Sequence, residues 1–120
     1  MSKEFRLPMR ENAVALIRDA QQSIVERGQR DPKFSRALLD EAASLLLNGE
    51  PAAARLILRD LVNATLGFES LAEATQKPSK SLHRMLSVSG NPGMDNLAVI
   101  FDALRRNLGV AIEVQGVREG

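Results

Sequence analysis

The sequence predicts an all-α protein, a bundle of five to six helices that contains a helix-turn-helix and ends in a short C-terminal β-strand. Three observations predict it. The chain is 44% hydrophobic but only 3% aromatic, all of it Phe, so its core is built from Leu, Ile, Val, Ala and Met, and Leu and Ala are strong helix formers. Apolar residues recur at helical spacing through most of the length. Between these stretches stand start signals of the form acid-then-proline and stop signals containing glycine.

At 120 residues the chain suits one domain with a small attachment. Residues 1–30 read as an N-terminal arm and helix, 31–115 as the helix-turn-helix domain and 116–120 as a tail. Residues 1–8 form a frayed arm closed by Pro8, and Ala13, Ile17, Ala20 and Ile24 set a helix from Met9 to Arg27 with Gly28 as its stop. Asp31-Pro32 opens the next helix, with a capping carboxylate followed by proline at the first helical position. Its stripe is Phe34, Leu38, Ala42, Leu45 and Leu46, and Asn48-Gly49 ends it. Glu50-Pro51 opens a third helix in which Ala54, Ile57, Leu58, Leu61 and Val62 face inward, with Gly67 as its end. The short Asn48-Gly49 link places these two helices side by side.

Two short helices follow, Phe68 to Thr75 and Pro78 to Leu86, joined by a tight break. This is the layout of a helix-turn-helix, in which one helix braces another. Ala72 supplies the small residue for a close crossing, and Leu82, Met85 and Leu86 supply the buried side of the second helix. Its outer side is then Ser79, Lys80, His83 and Arg84, with Ser81 at the flank and Lys77 at the entrance. From Thr75 to Asn91 there is no acid, although the net charge of the chain is only +1. Such a local basic surface fits the major groove of double-stranded DNA, where Lys80 and Arg84 suit guanine N7 and O6, the serines suit phosphates or base edges, and Lys77 suits a phosphate anchor. The positive end of the helix dipole adds to this attraction. A turn-rich Ser87–Gly93 loop leads to a last helix, Asp95 to Asn107, with Leu97, Phe101, Leu104 and Leu108 in register and Gly109 as its break. Val110, Ile112 and Val114 then alternate with Ala111 and Glu113, which predicts a strand. A lone strand leaves its backbone unpaired, and another copy of itself is the simplest partner.

The same residues exclude other classes. Cysteine is absent and there is one histidine, which removes disulfides, thiolate ligands and a zinc site. Glu41, Glu50 and Asp60 are scattered, and the serines at 79, 81, 87 and 89 lie in no glycine-flanked elbow, so neither an enzyme nor a cofactor is expected. No apolar run is long enough for a membrane span, and Met-Ser-Lys-Glu-Phe-Arg is no secretory signal, so a cytoplasmic protein is expected.

The stretch from Asp31 to Val114 resembles the addiction-module antidote branch (HigA-like antitoxins and their orphan relatives) of the Xre-type, lambda-repressor-like regulators. The likeness rests on Asp31-Pro32, Phe34, Leu38-Leu39, Arg59-Asp60, Gly67-Phe68, Leu71-Ala72, Pro78-Ser79-Lys80-Ser81-Leu82, the Ser89-Gly90-Asn91-Pro92 loop, and the final helix and strand. It implies a helical bundle that binds an inverted-repeat operator as a homodimer and represses its own operon. It implies base reading by Ser79, Lys80 and Arg84, and backbone contacts by Pro78, Ser81 and His83. It also implies the alternative of an antitoxin acting mainly on a RelE-like or HigB-like toxin. Gln76 stands where these proteins usually carry glycine, at a cost of about 1 kcal/mol if the turn needs a positive φ. Gly93 stands where a Ser or Thr cap is usual.

Overall fold

In the computed structural model the residues described are 22–120, and all their regular structure is helical. Residues 22–30 are helical (α1), followed by α2 (Pro32–Leu47), α3 (Pro51–Ala64), α4 (Gly67–Thr75), α5 (Ser79–Met85) and α6 (Met94–Leu108). The arm of residues 1–8 and the helix expected from Met9 lie, up to residue 21, outside the described residues. No helix among the described residues is long and apolar enough to cross a membrane.

The starts and stops follow local chemistry. The Asp31 side chain accepts from the Lys33 and Phe34 N–H groups at 3.1 and 3.4 Å, and Pro32 takes the first helical position, where no N–H is required. At the other end of α2, Gly49 adopts φ +87° and the Glu50 N–H reaches the Leu45 carbonyl at 2.8 Å. A left-handed residue after the helix lets the chain turn back on itself and occupy the last carbonyls. Glu50 precedes Pro51 as expected but makes no side-chain cap. Gly109 closes α6 with φ +71°, and its successor Val110 donates to the Arg105 carbonyl at 3.0 Å.

The core is one cluster. Leu39 and Ala42 of α2 meet Leu58, Leu61 and Val62 of α3, Phe68 and Leu71 of α4, Leu82 and Leu86 around α5, and Ile100, Ala103 and Leu104 of α6. The largest interface is between α2 and α3, and α6 packs on both α2 and α4. The inward set of α3 matches the sequence reading. In α2 and α6 the stripe is rotated slightly: Leu39 and Ser35 are buried where Leu38 is half-buried, and Ile100 and Ala103 join Leu104 while Leu97, Phe101 and Leu108 sit at the margin.

Three expectations are overturned. Gly67 does not end α3, which stops at Ala64 with Thr65 as its C-cap; Gly67 is the first residue of α4. Gly28 does not stop a helix, because residues 22–30 run through it. Its role is steric. A Cβ there would lie 2.7 Å from the Ala64 Cβ, and its carbonyl accepts from the buried Ser35 Oγ at 2.9 Å. Glycine therefore lets α1 touch the end of α3, and Ser35 is buried because this bond satisfies its hydroxyl. The C-terminal strand does not form either. Residues 110–120 have no regular structure, since a strand is stabilised by a neighbour's N–H and C=O groups and none among the described residues is paired with residues 111–115. The alternation survives in part. Val110 and Ile112 pack on the core, whereas Val114 is 72% exposed.

Half-buried Asp60 on α3 has its carboxyl pushed above the ordinary range by burial, which the neighbouring Arg59 only partly offsets. A raised native value favours folding while the group is protonated, and that contribution is lost as pH rises through the native value. Asp60→Asn is therefore expected to raise the denaturant midpoint near neutral pH and to have no effect below the carboxylate range, as checked by unfolding curves at both.

Candidate nucleic-acid interface

The link between α4 and α5 sets where the second helix can lie. Thr75 is the last residue of α4, and Gln76 follows with φ 59° and ψ 37°, the one non-glycine residue with positive φ among those described. The Gln76 and Lys77 N–H groups both reach the Ala72 carbonyl, and the Gln76 side chain donates to the Glu73 carbonyl at 3.0 Å. The expected left-handed turn is thus present with glutamine in it. Pro78 is extended (φ −62°, ψ 140°) and acts as the N-cap of α5. The helix is accordingly a little shorter than expected, Ser79 to Met85, with Leu86 as its C-cap.

Each sequence-predicted residue can now be placed. Leu82 and Leu86 are fully buried and Met85 is half-buried against the core, as the spacing required. Lys80, His83 and Arg84 are exposed together on the opposite side, and Pro78 is exposed at the entrance. Lys77, Ser79 and Ser81 are half-buried, so Ser79 belongs to the flank more than to the outermost surface. Ala72 is half-buried against the core. None of Lys77, Lys80 and Arg84 makes an ion pair with a described residue; the ion pairs there are those of Asp102 with Arg105 and Arg106, both 2.9 Å. Those pairs, chiefly the Arg106 hydrogen bond, hold the Asp102 carboxyl below the usual range.

Three contacts hold α5 and the loop after it in place. The His83 ring stacks on Phe68 of α4, centroids 3.8 Å apart and planes 18° apart. One face of an otherwise exposed imidazole is thereby used to hold α5 against α4. Arg55 of α3 reaches across to the loop after α5, with its Nε 3.2 Å from the Ser87 carbonyl and its Nη2 3.1 Å from that of Val88. Gly90 lies so close to the end of α5 that a Cβ would stand 2.2 Å from the Met85 carbonyl oxygen and 2.6 Å from that of Arg84. The glycine of the Gly90-Asn91-Pro92 loop is thus fixed by backbone meeting backbone. A sequence signal existed for Gly90 but none for Arg55, whose partners lie 32 and 33 positions away.

Chemically the arrangement offers two long cations and an imidazole on one side of a short helix, with carboxylate partners absent among the described residues. Such a surface can bind anions. Comparison of the chain with known protein families, characterised proteins and solved structures gives no match. The likeness to HigA-like antitoxins therefore enters the functional reading through the quoted motifs alone.

Two variants test this local construction. Gln76→Gly removes the steric cost of a left-handed side chain and is expected to stabilise the fold by up to about 1 kcal/mol, seen as a higher denaturant midpoint with unchanged slope. Arg55→Ala leaves two loop carbonyls without their charged donor and is expected to cost about 1.5 kcal/mol, with faster amide exchange confined to the Ser87–Gly90 loop.

Proposed function

We propose that the chain is a sequence-specific DNA-binding transcription regulator, an autorepressor, that places α5 in the major groove and acts as a homodimer on an inverted-repeat operator. The observation that carries this reading is the two-sidedness of α5. Leu82 and Leu86 are fully buried, while Lys80, His83 and Arg84 stand exposed with no ion-pair partner among the described residues. Unneutralised cations on a short helix suit the phosphate-rich groove, and a planar guanidinium matches the two acceptors on a guanine edge. Ser79 and Lys80 share the base-facing role with Arg84. Lys77, Pro78, Ser81 and His83 contact the backbone, and the stack on Phe68 fixes the direction from which the imidazole approaches. A dimer presents two such helices about one DNA turn apart, which makes the operator palindromic.

Selection from a random duplex pool with the full chain is expected to recover an inverted repeat. Lys80→Ala combined with Arg84→Ala is expected to abolish specific binding to the recovered site in a gel shift while the helical circular dichroism is unchanged, because both side chains are exposed and make no ion pair with a described residue. Unchanged affinity in that double variant sinks the assignment of this face.

A further inference from the structure

The segment after α6 is an incomplete piece of structure. Val110, Ile112 and Val114 alternate at period two in the sequence, and of the three only Val110 and Ile112 pack on the core of the described residues. Val114 is left 72% exposed. No backbone hydrogen bond joins residues 111–115 to any described residue. Beside them runs an open groove of about 220 Å³, walled on its far side by Asp40, Ala43, Ser44 and Leu47 of α2. Those four positions have the spacing i, i+3, i+4 and i+7 of one helix face, and Leu47 on that face is 63% exposed.

We infer that a second copy of this chain fills this groove, adding its own residues 110–114 antiparallel to the same residues of the first copy to make a two-stranded intermolecular ribbon centred on Ile112. The sequence of the segment selects both occupant and register. Pairing about Ile112 sets Val110 opposite the other copy's Val114, Ile112 opposite Ile112, and Ala111 opposite Glu113. All three apolar positions then share one face across both strands, and each Val114 lies beside a Val110 already seated on the partner's core. Pairing about Glu113 would set two carboxylates face to face, and pairing about Ala111 would run Val114 into Leu108, inside α6. One register therefore joins apolar to apolar and sets no like charges directly opposite each other across the ribbon. It also supplies the missing backbone partners, and Leu47 gives the incoming strand an apolar wall to close against. The inference rests on the dimer of the proposed function but not on its DNA contact.

The test uses the full chain without DNA. Sedimentation equilibrium is expected to show a dimer, and Val114→Asp is expected to weaken it by more than about tenfold with helical content unchanged, because that side chain is exposed in the single chain. The chain has no cysteine, so register can be read directly. An equimolar mixture of Ala111→Cys and Glu113→Cys chains is expected to give a covalent heterodimer under mild oxidation, with little from either alone. A wild-type monomer, a dimer indifferent to Val114→Asp, or cross-linking that is no better in the mixture than in the single variants overturns the inference. A strand-paired dimer that selects no DNA sequence would leave this inference standing and remove the regulator reading, and a DNA-binding monomer would do the reverse.

Discussion

Burial of Leu82 and Leu86 is the constraint on which the basic surface of α5 depends. A helix of seven residues does not persist in water by itself, because its few hydrogen bonds cannot repay the ordering of its first turn. α5 is helical because these two leucines are wholly enclosed with Leu58, Leu71 and Ile100. At helical spacing, seating them inward forces Lys80, His83 and Arg84 outward. The basic surface is thus a geometric consequence of the core. Any change that loosens the leucines would disorder the exposed Lys80 and Arg84 at the same time.

Two leucines fix which side of α5 faces in, but they do not fix its ends. The entrance is set by Gln76, whose left-handed backbone and shared Ala72 carbonyl end α4 within one residue, and by Pro78, which holds the chain extended before the helix begins. The exit is set by contacts with the rest of the bundle. Gly90 comes against the Arg84 and Met85 carbonyls, and Arg55 holds the Ser87 and Val88 carbonyls from α3. The Phe68–His83 stack adds a lateral tie to α4. A short element held at both ends and on one side has little freedom to re-aim, which is the condition for reading fixed chemical groups on a partner.

The parts of this design that were legible in the sequence are those written in a few adjacent residues. Asp31-Pro32, Asn48-Gly49 and Gly109 gave helix ends correctly because a cap or a left-handed residue acts on its own neighbours. The α5 faces were legible because periodicity and burial coincide over two turns. Gly28 was misread because the same residue type serves as a stop signal and as a point of close approach, and only the position of Ala64 distinguishes them. Ser35 and Arg55 gave no signal at all, since a buried hydroxyl and a loop-holding guanidinium are defined by partners distant in sequence. The strand expected at Val110–Val114 failed for a related reason. Its alternation describes what the side chains would face, whereas a strand exists only where a second backbone is alongside.

Charge placement links the two ends of the molecule. The net charge of +1 conceals an uneven distribution. Arg105 and Arg106 at the end of α6 share the one carboxylate of Asp102, which offsets one of their two charges. Lys80 and Arg84 have no such partner among the described residues. Near the tail, the groove carries Asp40 and Glu113 beside exposed Leu47 and Val114. The two carboxylates described there disfavour a polyanion, whereas the strand inferred above would set its own glutamate opposite an alanine. The two surfaces therefore differ in the chemistry they can receive, an anionic partner on the α5 face and an apolar backbone at the tail, and neither occupant would compete with the other for the same site.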